Sequence, residues 1–116
     1  MKIRIKDNSV RFRITQSEVT ELHKNGMISS TTQFIDNPFI YTVEKTDEQQ
    51  LSAAFVEHRI VMKIPGFMVE ELATTDRVGF DGLSGKVQLL IEKDFVCLDN
   101  TVEDQSDNYP NPNMKC

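Results

Sequence analysis

Ile3 and Ile5 alternate with Lys2, Arg4 and Lys6, and a few residues later Val10, Phe12 and Ile14 alternate with Arg11 and Arg13. Alternation with period two is the signature of a half-buried strand. The pattern predicts strands over 2–6 and 9–14. Asp7-Asn8 between them suits a two-residue turn, because both residue types tolerate positive φ. The period then changes. In "TQSEVTELHKNG", Thr15 and Glu18 have the spacing of a capping box, Val19 and Leu22 share one face, and Gly26 suits a left-handed stop. These signals predict a helix from Gln16 to Lys24.

From Met27 to Lys45 the pattern is β again, broken at Asp36-Asn37-Pro38, with Phe39, Tyr41 and Val43 alternating beyond the break. Leu51, Ala53 and Phe55 open a further strand, Glu57-His58 is a turn, and Ile60, Met62 and Ile64 lie on the returning strand. "PGFMVEELATTD" is the second helical segment, with Pro65 at its start and Met68, Val69 and Leu72 as its apolar stripe. A short strand over 77–83 turns at Ser84-Gly85 into "KVQLLIEKDFVCL". Leu89-Leu90-Ile91 is apolar on both faces, which predicts a central strand. Ile3, Ile5, Phe12, Ile14, Phe55, Ile60, Met62, Leu89 and Ile91 are the expected core. No internal repeat is visible along the chain.

The order of elements predicts an α+β fold: one strongly curved, mainly antiparallel sheet of seven or eight strands, able to close as a barrel, with two short helices over one side or end. Residues 1–98 form the expected domain. The composition changes at 99–116, an acidic, Pro- and Asn-rich tail that either stays loose or wraps the domain through Val102, Tyr109 and "YPNP".

The 116 residues suffice for one domain with a real core, and the formal net charge of −5 opposes general affinity for nucleic acid or anionic membrane. No apolar run approaches the roughly 20 residues that span a bilayer, and the N-terminus does not read as a signal peptide. Cys97 and Cys116 read as free thiols, which suggests a reducing, cytoplasmic setting.

Five cations dominate the candidate chemistry. Lys2, Arg4 and Lys6 project to one side of the first strand, Arg11 and Arg13 to one side of the second. In a tight hairpin both sets share a face. One reading is a solvated sheet face with acidic partners on a neighbouring strand, such as Glu44 or Glu92. The other is an anion site in which arginines grip phosphate or carboxylate. His23 at the end of the first helix and His58 in a turn fit ordinary surface histidines. No cofactor motif, zinc spacing or nucleophile signature is present. The tail acids Asp99, Glu103, Asp104 and Asp107 lack the glycine and terminal glutamate of a calcium loop.

"KIRIKDNSVRFRITQSEV", "TDRVGF" and "LLIEKDFVCL" leading to "DNYPNPN" together resemble a family of short bacterial proteins known only as a domain of unknown function. The resemblance covers nearly the whole chain, implies a complete one-domain protein, and brings no activity with it. The first strand is also similar to the Glu-x-Glu-x-Lys opening of the triphosphate-tunnel enzymes, with Lys6 at the lysine. Lys2 and Arg4 replace the metal-holding glutamates, so that resemblance implies at most a non-catalytic anion binder. The expectation is a small binding or interaction protein without catalytic activity or cofactor, its partner a small anion or another protein. The alternative is an enzyme or sensor that takes a phosphorylated or carboxylated small molecule on the basic strands.

Overall fold

The computed structural model describes residues 1–96 and 104–110. The first hairpin forms as the alternation predicts: β1 (Lys2–Lys6) and β2 (Ser9–Ile14) pair antiparallel around Asp7-Asn8, with Asp7 at φ 51°. In α1 (Gln16–Asn25) the Thr15 amide donates to Glu18 Oε1 at 2.9 Å, and Gly26 ends the helix at φ 83°. β3 (Met27–Gln33) and β4 (Pro38–Thr46) make the next hairpin. β5 (Ser52–Val56) and β6 (Arg59–Pro65) turn at Glu57-His58, both in the left-handed region. α2 (Gly66–Thr74) begins after Pro65, and β7 (Gly79–Ser84) with β8 (Val87–Lys93) closes the series.

The α+β class matches the expectation, as do the two helices and eight strands among the described residues, but the strands do not form one curved sheet. They divide into two sheets of four, ordered β1-β2-β8-β7 and β3-β4-β6-β5. Hairpin neighbours are antiparallel, whereas the central pairs β2–β8 and β4–β6 are parallel. β8 is central, as its two apolar faces suggest.

This arrangement is an internal repeat, contrary to the sequence expectation. Each half of the chain runs hairpin, helix, hairpin, and each sheet takes one hairpin from each half. Residues 50 apart correspond from β1 through α1: Asp7 with Glu57, Phe12 with Met62, Ile14 with Ile64, Val19 with Val69, Leu22 with Leu72. The central registers repeat as well. Phe12 sits opposite Ile91 in one sheet, and Met62 opposite Val43 in the other. Even the helix ends match. Lys45 Nζ donates to the His23 carbonyl at the end of α1 (3.2 Å), and Lys93 Nζ to the Thr75 carbonyl at the end of α2 (3.0 Å). A cation there satisfies an orphan carbonyl and suits the helix dipole.

One core joins both sheets and both helices. Phe12, Ile14, Leu89 and Ile91 meet Val43, Met62 and Ile64 beneath Leu22 and Leu72. Most of the expected core lies there, and Ile3 packs against its edge. Ile5 and Phe55 do not: they are 54% and 67% exposed. Both precede a hairpin turn, so their side chains have the core-facing parity but overhang the end of the sheet. Beyond β8, residues 104–110 lie across the end of β8 and the start of α1. Tyr109 N–H donates to the Asp94 carbonyl at 2.8 Å, and Gln16 N–H to the Asp107 carbonyl at 3.0 Å.

Candidate functional site

The two-residue turn fixes how β1 meets β2, and thereby which side chains share a face. Lys2 pairs with Arg13, Arg4 with Arg11 and Lys6 with Ser9. Side chains directly opposite in an antiparallel pair lie on the same face. All five cations therefore line the outer face of the β1-β2-β8-β7 sheet, as the alternation predicts. β8 extends the rows: Arg11 lies opposite Leu90 and Arg13 opposite Glu92, with Asp81 of β7 beyond Leu90.

Among the described residues two acids form ion pairs with the cations of this face. Glu92 Oε1 takes Arg13 Nε at 3.1 Å and stands 3.5 Å from Arg11 Nε. The buried Asp94 carboxylate meets Lys2 Nζ at 3.2 Å. Glu92 is thus one of the acids expected from the sequence. Glu44 is not: it lies on the other sheet, opposite Met27 and Lys63. Arg4 and Lys6 are exposed and have no ion-pair partner among the described residues. Lys2, Arg4, Arg11 and Arg13 line a hollow of about 170 Å³. A wider hollow of about 460 Å³ adjoins it, lined by Arg11, Asp81, Leu90 and Glu92 among others.

The histidines lie elsewhere. His23 Nε2 contacts Glu70 Oε2 at 2.5 Å, linking α1 to α2, and His58 sits in the β5–β6 turn at φ 65°. The basic face is also not the inside of a tunnel. It is the outer surface of a four-stranded sheet, and the strands do not close into the barrel of the triphosphate-tunnel enzymes. Among the described residues no group of three or more His, Cys, Asp or Glu gathers as a metal site, and no helix is long and apolar enough to cross a membrane. Cys97, Cys116, Asp99, Val102 and Glu103 lie outside the described residues.

Sequence reasoning missed Asp94 and Lys93. Asp94 follows the last strand with no periodic signal to aim it at Lys2. Lys93 is only 5% exposed, bonded to Thr75 and 4.8 Å from the centre of the Tyr109 ring. Burial lowers its ammonium pKa, with Asp76 opposing. Burial likewise raises the Tyr109 phenol. Asp107, bonded by the Ser17 hydroxyl at the start of α1, is held below the usual carboxylate range.

A family model described as a family of unknown function (DUF7009) matches residues 1–113. No curated protein and no solved structure matches the chain.

Proposed function

Because the chain belongs to this family, whose function is not established, we propose its role from the geometry: it is a non-catalytic, cytoplasmic interaction module that binds acidic groups on the outer face of the β1-β2-β8-β7 sheet. One observation carries the reading. Lys2–Arg13 and Arg4–Arg11 are like-charge pairs set directly opposite each other, and among the described residues Glu92 and Asp94 leave Arg4 and Lys6 without an ion pair. Like charges in direct register destabilise a sheet. An anion between them relieves that repulsion, and arginine pairs suit carboxylate or phosphate oxygens.

The overall charge of −5 makes such a face selective. A polyanion such as nucleic acid is repelled by the rest of the molecule, while a compact acidic group meets only the local patch. The enzyme reading has less support. Both histidines lie on other elements, Glu92 is already held by Arg11 and Arg13, and Asp81, the further carboxylate lining the hollow beside Arg11, bonds neither arginine among the described residues.

Thermal melting with sulfate, phosphate, pyrophosphate, triphosphate and citrate tests the face, at matched ionic strength because sulfate stabilises proteins generally. A specific site gives a saturable rise with one anion, worth about 2.7 kcal/mol at 100 times its dissociation constant. Arg4→Gln and Arg11→Gln each remove it. Small, similar shifts that survive both substitutions would mean a merely solvated face.

A further inference from the structure

The two halves differ at their edges. A two-residue turn makes Lys6–Ser9 a hydrogen-bonded pair, and such pairs alternate along the hairpin. The Asn8 and Ile14 carbonyls accept from Gln88 and Asp94, which places the even-numbered backbone groups of β2 toward β8 and the odd-numbered ones toward β1. In β1, therefore, the N–H and C=O groups of Ile3 and Ile5 point outward, away from β2.

In the second half the outward groups of Ala53, the counterpart of Ile3, are engaged, while among the described residues those of Phe55, the counterpart of Ile5, are not. Ala53 N–H donates to Ser84 Oγ at 3.2 Å, and the same hydroxyl donates to the Ala53 carbonyl at 3.4 Å. That contact ties the β5 edge to β7. Gly82 permits it, since a Cβ there would stand 3.1 Å from the Leu51 side chain. In the first half Ser30 occupies the place of Gly82 and Thr32 that of Ser84. Among the described residues Thr32 makes no bond to Ile3, and nothing bonds the outward amides of Ile3 and Ile5. Across the β5 side the bond reaches the strand's own edge, whereas on the β1 side the Tyr41 hydroxyl reaches only the Met1 carbonyl (3.4 Å), and among the described residues no bond meets the outward groups of Ile3 or Ile5.

We propose that the open β1 edge at Ile3 and Ile5 binds an extended acidic segment of a partner protein as an added strand. This rests on the basic-face reading above and gives it a partner and a binding mode. An added strand forms backbone bonds with Ile3 and Ile5 and alternates its side chains. Those on the outer face lie beside Lys2, Arg4 and Lys6 and must be acidic. Those on the other face lie beside Ile5, which is 54% exposed, and are best apolar. A second copy of the chain is the wrong occupant, because β1 against β1 sets one cation row beside another. Cations on an edge strand discourage self-pairing, and an acidic strand turns the same row into attraction.

The test uses the full-length chain and a capped heptapeptide in which glutamates alternate with valines. Two further peptides carry N-methyl groups on alternate residues, in one phase or the other. Added-strand binding slows amide exchange at Ile3 and Ile5. It also makes one N-methyl phase at least about tenfold weaker while the other binds like the parent, because only one phase faces the edge. Equal binding of both methylated peptides, or unchanged exchange at Ile3 and Ile5, overturns strand addition. If citrate or triphosphate still gives its saturable shift in that case, the basic face stands without the strand. If neither anions nor peptide bind, both readings fall.

Discussion

β1 and β5 open the two halves of the fold in equivalent places, yet they differ in almost everything that faces outward. Lys2 corresponds to Ser52, Arg4 to Ala54 and Arg11 to Val61, whereas Val10 and Ile60, Phe12 and Met62, Ile14 and Ile64 are apolar in both. Side chains that point into the shared core are constrained by packing. Those on the outer face are free to differ, and there the first half carries cations at places that the second half fills with neutral side chains. Each sheet takes a hairpin from each half, so the halves fold together while presenting different surfaces.

The largest effect should show where the halves agree. Ile14 and Ile64 are both fully buried and sit at matching places beside the parallel central pairs. Ile14→Ala and Ile64→Ala should each cost about 2–5 kcal/mol in urea unfolding, in a single transition probed from either sheet. Two separated transitions would show that the halves, or the sheets, are independent units. By contrast Ile5→Ala, at an exposed hairpin end, should cost far less.

That contrast explains what could be read from the sequence. The Asp7-Asn8 turn, the Thr15–Glu18 box and the Gly26 stop are local chemistry, and all three form. Alternation correctly placed five cations on one face. It could not show that Ile5 and Phe55 overhang the sheet, because period two reports which face a residue occupies and not its depth along the hairpin. The division into two sheets depends on the parallel pairs β2–β8 and β4–β6, which join distant segments and leave no mark on periodicity. The repeat was hidden for a similar reason. Correspondence is by volume and polarity rather than identity, and its spacing changes from 50 residues at Ile14–Ile64 to 52 at Ile28–Phe80 and 48 at Val43–Ile91.

A second contrast is the pair of lysines at the helix ends. Lys45 is exposed, while Lys93 is buried beneath the Tyr109 ring. Burial lowers the Lys93 pKa below its ordinary 10.5. Between that lowered value and 10.5 the unfolded chain holds the proton more firmly than the folded one, so stability rises with pH across the window. Raising pH from about 8 to about 10 should therefore stabilise the wild type relative to Lys93→Met, as followed by urea midpoints. Tyr109, whose raised pKa acts in the opposite sense at still higher pH, is present in both proteins. Parallel pH profiles would mean that the Lys93 ammonium is solvated as well as that of a surface lysine.

The smallest expected change in stability bears most directly on function. Arg4→Ala with Arg11→Val gives the first half the pair found in the second, Ala54 opposite Val61. In the native register Arg4 and Arg11 repel across the strands, and of these two only Arg11 stands near Glu92, which it shares with Arg13. Removing the repulsion should raise stability by about 0.2–1 kcal/mol, of which the lost Arg11–Glu92 contact, partly exposed and the longer of the two that Glu92 makes, should return only a small part. The net gain should be visible at low salt and fade as salt screens the remaining cations. The same double variant should lose the saturable anion response. A protein that becomes slightly more stable while losing its binding has kept the arginine row for the partner rather than for the fold. If stability instead falls by more than about 1 kcal/mol with no loss of anion response, the row is a structural network and the acidic ligand must be sought elsewhere.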